Sequence, residues 1–192
     1  KTEKFVEELG DYAKNFSYKL FDVSVKENWE EFAEYLKEND IHPDVLINNA
    51  GILPKFNKTQ NYSIEDIERD IKVNYFGSIN VAKASIPYLQ ETKGCILLFA
   101  SSSYTRGRAM YSTYSSTKAG IVNLAQALAE ELYNDGVRIN VINPERTATP
   151  MRFKAFGQEP EGSLLQPEKV AEASIKTLLT DLTGQVIDVR RD

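Results

Sequence analysis

Cysteine and histidine are nearly missing: the 192 residues contain one of each, Cys95 and His42. A lone cysteine excludes an intramolecular disulfide and any multi-cysteine metal site, and it fits a reducing compartment. A lone histidine leaves any histidine-dependent nucleophile scheme resting on one residue. That residue lies in the turn-like stretch Asp40-Ile41-His42-Pro43 and reads as solvated loop. No apolar run approaches the ~20 residues that span a bilayer. The first residues are charged rather than signal-like, so the reading is a cytoplasmic protein with no membrane partner. Positive charge is in the minority, at a net −5, and no Lys/Arg run is available to clamp a phosphate backbone. Nucleic acid is therefore not an expected partner.

What is present is the composition of one globular domain, with 42% hydrophobic and 27% charged residues spread over residues 1–192. Short apolar runs alternate with amphipathic segments throughout, which predicts an α/β fold whose parallel sheet is covered by helices. Strands are expected at residues 18–21, 45–48, 95–100, 138–142 and 185–189. Ser24 to Glu27 and Ser63 to Asp66 fit the S-x-x-[DE] pattern of a helix start. Pro167-Glu168 suits a first helical turn, and Asp135-Gly136 suits the close of a helix that begins near Tyr111. Trp29, Phe32 and Leu36 form an apolar stripe at helical spacing, and Cys95 reads as a buried strand residue. No repeat, low-complexity tract or linker interrupts the chain.

Of the ten tyrosines, only Tyr114 has a lysine four positions later, Lys118. On a helix that spacing puts both side chains on one face, so the ammonium can favour phenolate and lower a pKa that starts near 10. Ser101 lies thirteen residues before Tyr114, where the strand at 95–100 ends in Ser101-Ser102-Ser103. Carboxyl ends of strands are where open α/β sheets place ligands. Residues 45–51 read V-L-I-N-N-A-G, a strand running into two amides and a small-residue turn that lets a flat ligand approach the backbone. Residues 138–151 read R-I-N-V-I-N-P-E-R-T-A-T-P-M, a strand breaking at Asn143-Pro144 into a hydroxyl-bearing loop.

In this order and at these spacings the motifs resemble the short-chain dehydrogenases/reductases over nearly the whole chain. The resemblance implies a Rossmann-like doubly wound parallel sheet with helices on both faces. It implies a nicotinamide cofactor, NADP or NAD with NADPH favoured, and hydride transfer between that cofactor and a carbonyl or secondary alcohol. Tyr114 would be the general acid/base, and Lys118 would lower its pKa and hold the nicotinamide ribose. Ser101 would orient the carbonyl oxygen, and Asn74, in Ile71-Lys72-Val73-Asn74, would position a relay water. Asp22 would meet the adenine with Val23 beside it, and Asn49, Ala50 and Gly51 would back its ribose. Thr147 and Thr149, in the loop after Pro144, would contact carboxamide and phosphates. No metal is implied. The helices bearing Asn74 and Tyr114 would supply a subunit interface, hence a homo-oligomer.

The departures from the family pattern are equally specific. The glycine-rich turn that seats a pyrophosphate has no counterpart, and Lys1 falls after the family's second strand. A sheet lacking its first two strands, and a chain that continues a longer polypeptide, are therefore expected. Arg146, Arg152 and Lys154 cluster beside the expected substrate pocket, with Arg106 and Arg108 between Ser101 and Tyr114. Guanidinium forks match phosphate oxygens, so the cluster suits an anionic substrate such as a sugar phosphate, a phosphate of NADP, or merely solvated loop charge. The stretch N-P-E-R-T-A-T-P-M-R, with F-G-Q-E-P-E-G soon after, resembles the reductase part of bifunctional ribulose 5-phosphate reductase/CDP-ribitol pyrophosphorylase enzymes of capsule synthesis. In those a cytidylyltransferase domain precedes the reductase. Two other classes share parts of the pattern: nucleotide-sugar epimerases or dehydratases, which generally carry a larger C-terminal substrate domain, and cofactor-binding regulators, which usually lose the tyrosine or the lysine.

Overall fold

A strand forms only where a neighbour completes its ladder, and four of the five expected segments have one. A computed structural model describes residues 2–191, so Lys1, the reference point for the expected upstream strands, lies outside the described residues. Strands β1 (Val45–Asn48), β2 (Cys95–Phe99), β3 (Arg138–Pro144) and β4 (Val186–Val189) form one sheet in the order β1-β2-β3-β4. All pairings are parallel, with Val45 opposite Cys95, Leu98 opposite Val141 and Ile142 opposite Ile187. Parallel strands need crossover connections, here helical ones. The helices are α1 (Thr2–Leu9), α2 (Lys26–Glu38), α3 (Ile64–Ile71), α4 (Gly77–Thr92), α5 (Ser112–Glu131), α6 (Pro150–Phe156) and α7 (Pro167–Leu178).

Alternation along the strands sends side chains to two cores. Ile96, Leu98 and Ala100 meet Ile139 and Val141 on one face, beneath Ala82 and Leu89 of α4 and Ile121, Val122 and Ala125 of α5. Leu97 and Ile142 point the other way, toward Leu165, Val189 and the Val170 and Ala173 side of α7. Burial on both faces explains why β2 reads as an unbroken apolar run rather than an alternating one.

Residues 18–21 are not a strand. No described strand lies beside them to exchange backbone hydrogen bonds, and Tyr18 and Leu20 are 55% and 76% exposed. Phe21 holds the segment down by packing edge-on against Trp29 at 4.8 Å. The outer edge of β1 is likewise unpaired among the described residues, with Val45 and Ile47 42% and 50% exposed. The expected helix start at Ser24 also shifts. Helix α2 begins at Lys26, and Ser24 instead donates its hydroxyl and its backbone N–H to Asp22 Oδ1 at 2.7 and 2.8 Å. Ser63 does cap α3, accepting from the Asp66 N–H at 3.1 Å, and Pro167 opens α7. After α5 a short 3-10 turn ends at Gly136, whose φ of +75° supplies the left-handed closure.

Between α3 and α4 the chain stays helical but widens into a π turn, Lys72–Phe76. Such turns leave a backbone carbonyl without its usual partner, and they recur at functional positions. Here the Asn74 carbonyl accepts from Ser78 Oγ at 2.8 Å, and Asn48 at the end of β1 donates to that hydroxyl at 2.9 Å. Helix α5 lies against the wide turn because Gly120 has no side chain: a Cβ there would stand 2.9 Å from the Tyr75 ring. Gly120→Val is therefore expected to push α5 off the turn and cost about 1–3 kcal/mol by overpacking. Thermal denaturation checks this; an unchanged Tm would mean that the contact does not hold the two helices together.

Candidate active site

Because the sheet is parallel, the segments leaving β1, β2 and β3 emerge on one edge. They carry Asn49 to Gly51, Ser101 to Ser103, and the loop after Pro144. Helix α5 starts beside that edge, with Tyr114 in its first turn and Lys118 one turn on. The Ser101 hydroxyl faces the Tyr114 phenol closely enough to favour phenolate. It also accepts from the Ser103 N–H and hydroxyl at 3.3 and 3.2 Å, which fixes its orientation. Lys118 is buried; its Nζ donates to the Phe99 carbonyl at 2.8 Å and lies 5.7 Å from the Tyr114 ring centroid. Ser101, Tyr114 and Lys118 thus occupy one place.

The electrostatics differ from the expectation drawn from spacing. Burial pushes the Tyr114 phenol up to about 12, with the nearby Ser101 hydroxyl pulling the other way. Burial pulls Lys118 down to about 8, opposed by the charge of Asp70. The lysine does not lower the phenol here, because the phenolate has lost its water and the ammonium directs its hydrogen bond to Phe99 rather than to the phenol.

Asn74 is fully buried. Its Oδ1 accepts from the Ile52 N–H at 2.8 Å, and its Nδ2 donates to the Ile52 carbonyl at 3.0 Å and to Asp70 Oδ1. The turn after β1 closes the group. A Cβ on Gly51 would sit 3.1 Å from Asn74 Oδ1 and 3.7 Å from Lys118 Nζ, so only glycine keeps that approach open. Asn49 and Ala50 beside it are exposed. Of the three Lys118 protons, the Phe99 carbonyl takes one. An open small-residue turn over a lysine with spare donors fits the ribose and nicotinamide of a dinucleotide.

The remaining expected cofactor residues frame the same edge. Asp22 is exposed, its carboxyl held below the usual carboxylate range by the Ser24 hydrogen bonds. Val23 packs where a Cβ on Gly77 would lie, 3.3 Å from its Cγ2, and accepts from Trp29 Nε1 through its carbonyl at 2.9 Å. Pro144 ends β3 opposite Val189. The Thr147 hydroxyl donates to the Glu145 carbonyl at 2.8 Å, and the Thr149 hydroxyl caps α6 by accepting from the Arg152 N–H at 3.2 Å. Both threonines are therefore tied first to their own loop.

The arginine cluster is not free charge. Arg152 forms a two-pronged pair with Glu159, Nε to Oε2 at 2.7 Å and Nη2 to Oε1 at 2.9 Å, while lying over the Phe156 ring at 3.5 Å. Arg146 reaches the same carboxylate at 3.4 Å and stays half exposed, and Lys154 is exposed. Phe156 packs against Phe56 at 4.5 Å, Phe56 against Tyr111 at 5.0 Å, and Tyr111 against Tyr114 at 6.1 Å. This aromatic wall joins the arginines to the phenol. Sequence reasoning missed the wall, Glu159 and Asp70. Only Asp70 left a signal, its place four residues before Asn74 on a helix. His42 stands on the surface between Glu91 at 2.7 Å and Asp40 at 3.0 Å. Cys95 is a buried free thiol whose pKa burial raises.

Comparison with known proteins gives this arrangement its class. The chain belongs to the short-chain dehydrogenase family of NAD(P)-dependent oxidoreductases, whose sequence pattern matches residues 1–160. It is 47% identical over 189 residues to the bifunctional ribulose 5-phosphate reductase/CDP-ribitol pyrophosphorylase Bcs1 of Haemophilus influenzae. That alignment covers 93% of this chain and 39% of that protein, so the chain spans well under half of the relative's length. Among solved structures, a 3-ketoacyl-(acyl-carrier-protein) reductase from Brucella melitensis complexed with NADH is 28% identical with a TM-score of 0.87, over 97% of this chain and 81% of the other. ElxO with NADP bound shares the fold at a TM-score of 0.87 and 24% identity, over 97% of this chain and 82% of the other. No helix among the described residues is long and apolar enough to cross a membrane.

The burial of Lys118 has a direct readout. In the free protein, the Lys118 13Cε chemical shift should titrate with a midpoint near 8. A midpoint at the ordinary lysine value of 10.5 would show that the ammonium is not desolvated.

Proposed function

We propose that this chain is the reductase portion of an enzyme that converts ribulose 5-phosphate to ribitol 5-phosphate, using NADPH in preference to NADH. The convergence of the Ser101 hydroxyl and the Tyr114 phenol beside buried Lys118 carries the reading: it puts two donors side by side where a carbonyl oxygen would gain negative charge. The phosphorylated ketose is supported by the 47% identity to the ribulose 5-phosphate reductase of Haemophilus influenzae and by the arginines beyond the aromatic wall.

The bound nicotinamide supplies the hydride. Tyr114 gives its proton to the carbonyl oxygen as that oxygen becomes an alkoxide, and Ser101 holds the same oxygen by its hydroxyl. A phenol pushed up to about 12 is fully protonated at neutral pH, the state that reduction requires. Lys118, held by the Phe99 carbonyl, grips the ribose hydroxyls. Asn74 fixes the water that returns a proton to the site. Asp22 and Val23 border the adenine, and Asn49, Ala50 and Gly51 back its ribose. Pro144, Thr147 and Thr149 border the carboxamide and phosphates. Arg146, Arg152 and Lys154 receive the substrate phosphate, which takes the place of the Glu159 carboxylate on the Arg152 fork. Residues 1–192 act as one domain, in a cytoplasmic protein with a cytidylyltransferase domain upstream, and the helices bearing Asn74 and Tyr114 join copies into a homo-oligomer.

Tyr114→Phe tests the chemistry. NADPH consumption with ribulose 5-phosphate should fall on the order of a hundredfold or more, with NADPH binding retained; undiminished turnover would remove the mechanism. Replacing Arg146 and Arg152 together with alanine should raise KM for ribulose 5-phosphate roughly tenfold to a hundredfold, the value of lost charge-assisted hydrogen bonds. Equal KM values for variant and parent would remove the phosphate site. Reduction should hold steady through neutral pH and decline as pH passes about 8, where Lys118 loses its proton. A kcat/KM profile that stays flat well beyond that point would contradict the assignment of Lys118.

A further inference from the structure

One buried acid stands behind the site and belongs to none of the expected roles. Asp70, on the last turn of α3, is 0% exposed. Its Oδ1 accepts from Asn74 Nδ2, and its Oδ2 is buried with no hydrogen-bond partner. The Thr113 hydroxyl, one residue before Tyr114, faces the carboxylate closely enough to favour its charge. It too is buried without a partner in hydrogen-bond geometry. An unpaired carboxylate oxygen is costly to bury, and an asparagine would fill the same volume without bringing a charge. What the carboxyl adds is an ionisable group directly behind the Asn74 amide and within electrostatic reach of α5.

We propose that Asp70 is a positioning residue for the Tyr114 and Lys118 centre, holding the Asn74 amide in its one orientation and placing a negative charge behind both side chains. This deepens the proposed reductase activity and rests on that reading only for its kinetic consequence. The hydrogen bond to Asp70 uses the Asn74 proton that Ile52 does not, so the amide cannot turn over without losing both bonds. The Oδ1 of that amide is then kept toward Gly51, where Lys118 Nζ also converges. The groups that feel the Asp70 charge are Lys118 and Tyr114 from α5, Arg69 on its own helix and Tyr62 in the preceding segment. An anion at Asp70 favours the Lys118 cation and disfavours the Tyr114 phenolate, opposing the burial that pulls the lysine down. Burial raises the Asp70 pKa itself, so this support fades as the carboxyl gains its proton in acid.

Asp70→Asn removes the charge at constant shape. In the free protein, with neither cofactor nor substrate, the Lys118 13Cε titration midpoint should fall by roughly one unit or more in the variant. With NADPH and ribulose 5-phosphate, the alkaline limb of kcat/KM should move to lower pH by the same amount. A residue that served only packing would lower Tm and scale the rate at every pH alike, without moving either midpoint. An unchanged Lys118 midpoint therefore overturns the proposal. A shifted midpoint in a protein that does not turn over ribulose 5-phosphate upholds it and overturns only the choice of substrate. Should Asp70→Asn not fold, Asp70→Ser removes the same charge while leaving a hydroxyl toward the Asn74 amide, and it should lower the Lys118 midpoint likewise. No movement in that variant overturns the proposal equally.

Discussion

The structure is organised around an ammonium held out of water. Burying a lysine is unfavourable unless its charge finds partners, and Lys118 finds three: the Phe99 carbonyl at the end of β2, the face of Tyr114, and the charge of Asp70. The partners lie on β2, on α5 itself and on α3, so the lysine fixes the relation of that strand to the two helices. Much of the local architecture serves that relation. Glycine at position 51 lets the backbone pass close over Nζ, and glycine at 120 lets α5 press against Tyr75 beside the wide turn.

The π turn is the second element of the same constraint. In the wide turn Lys72–Phe76 the Asn74 carbonyl accepts from Ser78 and the amide meets Ile52 in the segment after β1. The chain after β1 is thereby pinned to the helix carrying Asp70, and through it to α5. The hydride chemistry needs rigid donors aimed at a developing charge. This cross-linking of β1, α3 and α5 supplies the rigidity without a single disulfide.

The parts legible in the sequence were those that depend on local spacing. Tyr114 and Lys118 share a helix face because four residues make about one turn, and Ser101 meets them because a strand end and a helix start both have recognisable signals. The apolar runs at 45–48 and 95–99 carried the sheet for the same reason. What could not be read depended on the third dimension. Residues 18–21 have strand-like composition, but a ladder needs a neighbour, and no described strand provides one. The sign of the Tyr114 shift was hidden because spacing reports the nearness of a lysine and says nothing about how much water each group loses. Glu159 was invisible as the partner of Arg152, since the loop between them has no periodicity to predict its closure. Asp70 stood at a readable spacing from Asn74, yet an acid on a helix is ordinarily a solvated one.

The hydroxyl, the phenol and the ammonium act as one unit. A double-mutant cycle on kcat/KM for carbonyl reduction with Ser101→Ala and Lys118→Met measures it. One unit predicts strong non-additivity, the combined variant losing little more than the worse of the two single variants. Losses that multiply, as for two independent sites, would contradict it.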